Sequence, residues 1–299
     1  MARVAFIGLG NMGRPMAAAL ARAGVKTRGF DLNVSLIEAA AKEGVVAASS
    51  LRDAVDGADV AITMLQSGDQ TLAVWREIAP QSRGKLLIDC STIDVESARA
   101  AHRLAAECGA PSVDAPVSGG VAGAKAATLT FMCGGEAGAF MAAKPILEYM
   151  GAHMLHCGGA GMGQAAKICN NLMLGVTMIA TAEAFVLAER LGLSHRALFD
   201  AASISSGQSW SLTTYCPVPE MTPASPANND YMPGFMTALM LKDLRLAQEA
   251  AAHAGAASPL GAAATQLYAL HNAAGQGGAD FSSIIRLIRG NLDDETKPT

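Results

Sequence analysis

The pattern of apolar and polar positions changes character about halfway along the chain. Up to about residue 157, short apolar runs alternate with segments in which apolar residues recur every three or four positions. The runs, which are typical of buried strands, are 4–7, 27–30, 59–64, 86–89, 112–115 and 129–133. Strands and helices in strict alternation predict a parallel sheet that is covered by helices on both faces.

The second half of the chain has a helical pattern only. The longest pattern, 164–191, is followed by Gly192, a typical residue just after a helix, and by Ser194, a typical N-cap of the next one. Apolar residues at helical spacing predict three further helices, at 236–254, 260–273 and 281–289.

One long segment of the second half, 215–234, combines several Pro, Asn and Ser residues and is predicted to be an ordered loop. The polar tail from Asp293 is expected to fray. Together these patterns divide the chain into an α/β domain over 1–163 and an all-helical domain over 164–299.

Composition raises the question of a membrane, because 51% of the residues are hydrophobic and only 16% are charged. The most apolar stretch, 172–188, is interrupted by Glu183 and is shorter than the ~20 residues that a membrane span needs. We therefore expect a helix that is buried on most sides, and no membrane partner. The N-terminus carries no pattern of a targeting segment, because a strand is predicted almost at once.

Charge and cysteine usage narrow the class of protein further. A formal net charge of −4 provides no basic surface of the kind that binds nucleic acid. The six cysteines are not arranged in CxxC pairs and resemble small apolar residues in their distribution. This distribution favours a reducing compartment, and we expect a cytoplasmic protein.

A glycine-rich segment follows the first predicted strand, Gly8-Leu9-Gly10-Asn11-Met12-Gly13. In a dinucleotide-binding loop the first glycine permits the turn, the second admits the pyrophosphate and the third lets the helix pack closely. Asp31 stands at the end of the second strand, where a carboxylate accepts hydrogen bonds from a ribose 2′-hydroxyl and repels a 2′-phosphate. The segment predicts NAD binding; the alternative is an ordinary glycine-rich turn beside a surface aspartate.

Two further segments carry candidate chemistry. Ser118, Gly119 and Gly120 follow a strand and form either a carboxylate-binding cradle or a plain turn. Lys167 and Asn171 are four residues apart and share a helix face beside apolar neighbours. Such a lysine is either a proton-transferring group or, as most helix lysines are, a solvated surface charge.

These segments together carry a resemblance to a known family. The segments 8–16, 114–120, 161–171 and Lys242-Asp243 stand in the order and spacing of the β-hydroxyacid dehydrogenase family, which the sequence resembles over nearly its whole length. Two departures are Gln66, where the family usually has proline, and Ala127, where glycine is common. The segments most similar to members acting on 3-hydroxyisobutyrate are 165–171, 205–210, 215–219, 225–229, 234–235 and 242–244.

The resemblance implies an N-terminal Rossmann domain with a doubly wound parallel sheet, joined by a long central helix to an all-α domain, with the active site between them. It implies NAD-dependent oxidation of 3-hydroxyisobutyrate to methylmalonate semialdehyde, a step of valine degradation. Lys167 would be catalytic with Asn171 supporting the substrate, and the substrate would contact Ser118, Gly119, Gly120, Trp210 and Phe235. The cofactor would contact Gly8, Leu9, Gly10, Asn11, Met12, Gly13, Asp31, Met64, Leu65, Gln66, Thr92 and Lys242.

The mechanistic hypothesis is that Lys167 takes the hydroxyl proton as hydride leaves to NAD. This role requires a neutral amine, and so a pKa well below the reference value of about 10.4. Burial and the charge of Lys242 would both lower it. No metal is expected, because neighbours on a strand such as His153, His156 and Cys157 point to different faces. The long apolar helix and the resemblance both favour a homodimer or homotetramer.

Two alternatives come from different classes. The first is a related enzyme, a tartronate semialdehyde or glyoxylate-type reductase that runs on NADPH; Asp31 and the segment 215–229 speak against it. The second is a non-catalytic binding module on the same fold. Such a module would be expected to lose Lys167 or the cradle at Ser118, Gly119 and Gly120. Imine-reducing relatives usually lack the catalytic lysine, so Lys167 also speaks against that activity.

Overall fold

The computed structural model describes residues 2–290, so the polar tail from Asp293 lies outside the described residues. The chain forms two compact units, Met1–Lys167 and Ile168–Thr299. The division falls inside one continuous helix, Met162–Leu191, four residues beyond the boundary expected from the sequence pattern.

The first unit is built on a nine-stranded sheet with the order β3-β2-β1-β4-β5-β6-β8-β7, in which β9 also pairs with β8. The strands are β1 Arg3–Ile7, β2 Lys26–Phe30, β3 Val46–Ala47, β4 Val60–Thr63, β5 Leu86–Asp89, β6 Ser112–Asp114, β7 Val117–Ser118, β8 Leu129–Gly134 and β9 Gly151–Gly158. The pairs among β1 to β6 are parallel, as is β8 with β9, and this confirms the predicted class of sheet.

Strand β8 is the exception, because it runs antiparallel to β6 and β7. Only residues 119–128 separate β7 from β8. A parallel return needs a crossover of about a dozen residues or more, so the chain turns back instead.

Helices cover both faces of this sheet. They are α1 Gly13–Arg22, α2 Val34–Ala41, α3 Leu51–Val55, α4 Gly68–Ile78, α5 Val95–Glu107, α6 Gly120–Ala126 and α7 Ala137–Leu147. Because side chains alternate along a strand, Val4 and Phe6 of β1 enter one apolar cluster and Ala5 and Ile7 enter another on the opposite face. The apolar runs in the sequence therefore reflect strands that are buried on both sides.

The helices of the second half are α8 Met162–Leu191, α9 His195–Ser203, α10 Trp210–Thr213, α11 Thr237–Ala254, α12 Pro259–His271 and α13 Ile284–Arg289, the last preceded by a 3₁₀ turn at Phe281–Ser283. The predicted N-cap is confirmed, since the hydroxyl of Ser194 accepts a hydrogen bond from the amide of Ala197 at 3.3 Å. Gly192 has φ +75°, a conformation that glycine adopts at the end of a helix without strain.

Helix α8 is long and apolar enough to cross a membrane by length and composition alone, as the core helix of a globular protein also can be. Its residues Met178, Ala182 and Phe185 are buried in the core of the second unit. Another side of the helix exposes apolar residues, among them Met173 and Leu187, so in the single chain α8 is less buried than its composition predicts.

The predicted loop 215–234 is ordered around one buried carboxylate, Asp280. The Oδ2 atom of Asp280 accepts hydrogen bonds from the Tyr215 hydroxyl at 2.9 Å, the Gly234 amide at 3.0 Å and the Phe235 amide at 2.9 Å. A fully buried carboxylate is tolerable only with such partners. Residues at both ends of the loop are thereby hydrogen-bonded to the same carboxylate oxygen.

His271 makes the stability of the second unit depend on pH. Its buried ring lies 2.8 Å from the Ser283 hydroxyl, and desolvation, with Arg286 adding to it, lowers the pKa of His271 from 6.5 to about 4. Because the pKa of His271 is lower in the folded chain, the unfolded chain binds the proton more tightly. The free energy of unfolding is therefore unaffected by this proton well above pH 6.5, and it decreases as the pH falls from 6.5 toward 4. Between pH 7 and 4.5 we expect a loss of about 2–3 kcal/mol at 1.36 kcal/mol per unit.

Urea unfolding of the wild type and of His271→Gln at both pH values measures this contribution. The wild type should lose about 2–3 kcal/mol more than the variant, because glutamine does not titrate. Equal losses in the two proteins would show that His271 is not the cause.

Candidate active site

The glycine loop between β1 and α1 needs glycine for steric reasons at two positions. A Cβ on Gly8, which has φ +93°, would lie 2.2 Å from the carbonyl oxygen of Met64. A Cβ on Gly13 would lie 1.9 Å from the carbonyl oxygen of Gly8. By contrast, a Cβ on Gly10 would meet nothing within 4 Å among the described residues, so the space beside Gly10 is open to a ligand.

The surroundings of this loop fit a dinucleotide. Within residues 2–290, no side chain caps the N-terminus of α1 and no acid lies in its first turn, so its amide groups can bind a phosphate. Asp31 follows β2, and its carboxylate accepts hydrogen bonds from the Leu9 amide at 2.7 Å and the Asn33 amide at 2.9 Å. These bonds hold the carboxylate beside the glycine loop, at the end of the strand where a ribose would bind.

Substitution of Gly13 is a direct test of the loop. Gly13→Ala places a methyl group against backbone that cannot move without shifting the loop, and we expect the Kd for NAD to rise by about a hundredfold or more. Gly138→Ala in α7, where a Cβ meets nothing within 4 Å of the described structure, is the matched control and should leave the Kd unchanged. Calorimetric titration with NAD measures both; a folded Gly13→Ala protein with wild-type affinity would contradict the assignment.

Two more loops lie at the same edge of the sheet. Met64, Leu65 and Gln66 follow β4, which pairs with β1, and Thr92 comes shortly after β5, which pairs with β4. The Leu65 amide donates to the Ser91 hydroxyl at 2.8 Å, which ties one loop to the other. The Gln66 amide donates to the Gln70 side chain at 3.1 Å, a hydrogen bond that proline at this position could not make.

A buried carboxylate that the sequence did not indicate lies beneath these loops. Burial raises the pKa of Asp89 to about 6, although hydrogen bonds from the Ser91 and Thr63 hydroxyls oppose the shift. One oxygen, Oδ1, accepts from Thr63 at 2.7 Å and from Ser91 at 2.6 Å. Oδ2 has no hydrogen-bond partner in the described part of the chain.

The predicted carboxylate cradle lies where β7 ends and α6 begins. Gly119 has φ +128° and Gly120 has φ +62°, both of which favour glycine, and Ser118 is half-buried. The turn thus presents a hydroxyl and two successive amides that a bulkier residue would disturb. Ala127, at the end of α6, has φ +56°, which explains why glycine is common at this position in the family.

Lys167 and Asn171 lie one helical turn apart on α8, and both are buried. The amide nitrogen of Asn171 donates to Asp243 at 2.5 Å, and its oxygen accepts from Asn170 at 2.9 Å. Asp243 is itself buried, 72 positions away in sequence. Asp243 is therefore the residue that orients Asn171, a role that the sequence did not indicate.

The other predicted substrate residues lie in the second unit within one aromatic cluster, which we define as Trp210, Tyr215, Phe235 and Phe281. Trp210 stacks on Tyr215 at 4.8 Å between ring centroids, and Tyr215 stacks on Phe281 at 5.5 Å. Phe235 packs edge-on against Phe281 at 5.8 Å. Trp210 remains about half exposed, so one end of the cluster is accessible. Lys242 lies on α11 of the same unit.

One histidine of β9 has structural contacts. His156 stacks on Phe140 at 4.8 Å and lies 2.8 Å from the carbonyl oxygen of Gly135. Within residues 2–290, no group of three or more His, Cys, Asp or Glu side chains is arranged to hold a metal ion.

Comparison with known proteins shows which family the chain belongs to. Residues 3–159 match the family described as the NAD binding domain of 6-phosphogluconate dehydrogenase, and residues 161–288 match that described as NAD-binding of NADP-dependent 3-hydroxyisobutyrate dehydrogenase. A probable 3-hydroxyisobutyrate dehydrogenase of Mycobacterium tuberculosis is 50% identical over 98% of this chain and its own full length. The chain belongs to the 3-hydroxyisobutyrate dehydrogenase family. It is therefore an NAD-dependent dehydrogenase of the β-hydroxyacid class.

Two more comparisons describe the family around this chain. A solved structure of the M. tuberculosis 3-hydroxyisobutyrate dehydrogenase with L-serine matches with a TM-score of 0.94, covering 97% of this chain and all of that one. An NAD-dependent L-serine dehydrogenase of Pseudomonas aeruginosa is 45% identical over 96% of this chain and 98% of its own length. The Rossmann fold of the first unit and the helical second half are shared within the 3-hydroxyisobutyrate dehydrogenase family.

Proposed function

We propose that this protein oxidises the primary alcohol of 3-hydroxyisobutyrate to methylmalonate semialdehyde with NAD, a step of valine degradation. The observation that carries the proposal is similarity along essentially the whole chain to relatives that bear this name. The buried lysine on α8 and the glycine cradle after β7 supply the groups that the reaction needs.

The mechanism assigns each task to residues of this chain. The Ser118 hydroxyl and the Gly119 and Gly120 amides bind the substrate carboxylate, which fixes the hydroxyl-bearing carbon two bonds away. Lys167 takes the proton of the hydroxyl group, while Asn171, oriented by Asp243, donates to the same oxygen. When bound, NAD supplies the oxidised nicotinamide that accepts the hydride. The substrate thus loses one proton and one hydride as its C–O bond becomes a carbonyl.

The cofactor would be held by the glycine loop, by Asp31 and by the loops after β4 and β5. The open space beside Gly10 and the uncapped α1 N-terminus suit the pyrophosphate. Asp31 suits a free ribose 2′-hydroxyl, and this supports NAD over NADP.

A substrate panel tests the proposal. We expect the highest kcat/KM for 3-hydroxyisobutyrate when it is compared with L-serine, glycerate and 3-hydroxypropionate at saturating NAD. A higher value for any of the other three would replace the proposed substrate. Absence of NADH formation with all four would favour a non-catalytic role.

L-serine oxidation is the second candidate, because one relative is named for it and one similar structure contains L-serine. L-serine carries an ammonium group where 3-hydroxyisobutyrate carries a methyl group. The resemblance implies that Trp210 and Phe235 contact the substrate. Aromatic side chains pack well against a methyl group, whereas an ammonium group beside them pays a desolvation cost unless it finds a partner. We therefore rank 3-hydroxyisobutyrate first. A tartronate semialdehyde or glyoxylate-type reductase running on NADPH ranks below both because of Asp31.

The assembly that we propose is a homodimer or homotetramer in the cytoplasm. Met173, Leu187 and Leu191 are 62%, 59% and 74% exposed on one side of α8, an apolar surface that a second copy would cover. All six cysteines are free thiols, as is typical of a reducing compartment. Light scattering of the purified protein should give a mass of two or four chains; a monomer would contradict the assembly.

A further inference from the structure

The first turn of α8 is held by a carboxylate that is distant in sequence. Asp114, at the end of β6, is buried, and its Oδ1 accepts a hydrogen bond from the Gly161 amide at 2.9 Å. Its Oδ2 accepts one from the Gln164 amide, also at 2.9 Å. Helix N-termini are ordinarily capped by a residue adjacent in sequence. Here the cap comes from a strand of the sheet, 47 and 50 positions away.

The backbone is shaped to allow this close approach. A Cβ on Gly134 would lie 2.4 Å from Oδ1 of Asp114 and 2.6 Å from the Gly163 amide nitrogen. A Cβ on Gly163 would lie 2.3 Å from the carbonyl oxygen of Met132. Glycine at both positions lets the start of the helix lie directly against β6 and β8, where no side chain could fit between them.

A second contact continues from the same turn to the cofactor loops. The side chain of Gln164, fully buried, donates to the carbonyl oxygen of Ser91 at 2.7 Å and accepts from the Ile93 amide at 3.1 Å. The Ser91 hydroxyl in turn accepts from the Leu65 amide. One hydrogen-bonded path therefore runs from the first turn of α8 to Ser91, which precedes Thr92 in the loop after β5. From Ser91 it continues to Leu65 in the loop after β4.

We propose that Asp114 and Gln164 are positioning residues, which fix the first turn of α8 and thereby set the distance between the Lys167 amine and the two cofactor loops. Lys167 lies three residues after Gln164, so a shift of the first turn moves it directly. Proton and hydride transfer are sensitive to such shifts, and about 1 Å of misplacement can cost a hundredfold in rate. The inference rests on the proposed role of Lys167 in the oxidation.

His102 also contacts Asp114, at the same oxygen that accepts from the Gly161 amide. Its Nε2 lies 2.8 Å from Oδ1 of Asp114, and its Nδ1 lies 2.7 Å from the Ser112 hydroxyl. With Gly161 and Gln164, the carboxylate thus has three partners, which leaves it little freedom to rotate. A cap that served stability alone would not need the additional Gln164 link to the cofactor loops.

The test uses two near-isosteric variants and one control. In Asp114→Asn, one side-chain atom changes from acceptor to donor, so one of the amide bonds to α8 is lost. In Gln164→Met, the cap stays but the link to Ser91 and Ile93 is removed. Ser50→Ala removes the cap of α3, where the Ser50 hydroxyl accepts from Asp53 at 3.1 Å, and controls for the loss of a helix cap alone.

We expect both variants to lower kcat by about 10- to 100-fold. The primary deuterium isotope effect on kcat should rise, while the Kd for NAD stays within about twofold. Hydrogen exchange should quicken at least about tenfold in peptides covering 161–170 in Asp114→Asn, a readout that needs no turnover. Ser50→Ala should lower Tm and leave kcat, the isotope effect and exchange in this segment unchanged.

Unchanged kcat and isotope effect in folded variants, or a loss of kcat matched by Ser50→Ala, would overturn the inference. If Asp114→Asn does not fold, Gln164→Met decides by the same kinetic measurements. A wild type that does not oxidise 3-hydroxyisobutyrate contradicts the proposed substrate instead. In that case hydrogen exchange decides. Unchanged exchange in residues 161–170 of Asp114→Asn would still overturn the positioning role of Asp114, and faster exchange would support it.

Discussion

Replacing Lys167 with alanine is expected to lower kcat for 3-hydroxyisobutyrate by about a thousandfold, because a positioned proton acceptor contributes about 10²–10⁴ to the rate. The side chain is buried on α8, one turn before Asn171, and so faces the same side of the helix. The Kd for NAD should stay within about twofold, because the glycine loop and Asp31 supply the proposed cofactor contacts.

Two further variants make the result specific to Lys167. Lys167→Arg introduces a guanidinium that stays protonated in a protein and cannot accept a proton, and we expect it to be as inactive as the alanine variant. Lys144→Ala removes an exposed lysine of α7 that pairs with Glu148, and it should keep wild-type turnover. Stopped-flow and steady-state rates measure all three. Near-normal turnover of Lys167→Ala would remove the lysine from the mechanism.

The second large effect concerns the choice of cofactor. Asp31→Ser should change the ratio of kcat/KM for NAD over NADP by about a hundredfold or more. A hydrogen bond to a charged group contributes about 1.5–3 kcal/mol, which NAD would lose. NADP would at the same time be relieved of repulsion between the carboxylate and its 2′-phosphate.

The matched control for this change is Asp56→Ser, which removes one exposed carboxylate of the same unit and should leave the ratio as in the wild type. Steady-state rates with both cofactors, at a fixed concentration of 3-hydroxyisobutyrate, give the ratio. A wild type that already prefers NADP, or an unchanged ratio in Asp31→Ser, would show that Asp31 does not select the cofactor.

Central parallel strands such as β4 and β5 were predictable because each is an apolar run whose residues are all buried. The two-residue strands β3 and β7 gave no signal, since two positions contain no periodicity. The antiparallel direction of β8 was missed for a different reason. Apolarity shows that a strand is buried but not which way it runs, and here the short connection from β7 decides the direction.

Within the candidate site, the sequence indicated the groups whose residues are close together along the chain, such as the glycine loop and the pair Lys167 and Asn171. It did not indicate the partners that orient them. Asp243 contacts Asn171 from 72 positions away, and Gln164 contacts Ser91 from 73 positions away. Such bonds form because a buried polar group must find a partner in the folded chain, whatever the sequence separation. Only the fold shows which partner that is.

The central claim is that this chain moves a hydride from the hydroxyl-bearing carbon of 3-hydroxyisobutyrate to NAD, and isotope transfer tests it directly. The substrate carrying two deuterium atoms on that carbon is incubated with the purified protein and NAD, and the reduced cofactor is analysed by mass spectrometry. One deuterium should appear in each molecule of reduced cofactor, with one left on the aldehyde. Unlabelled reduced cofactor, or none at all, would contradict the assignment.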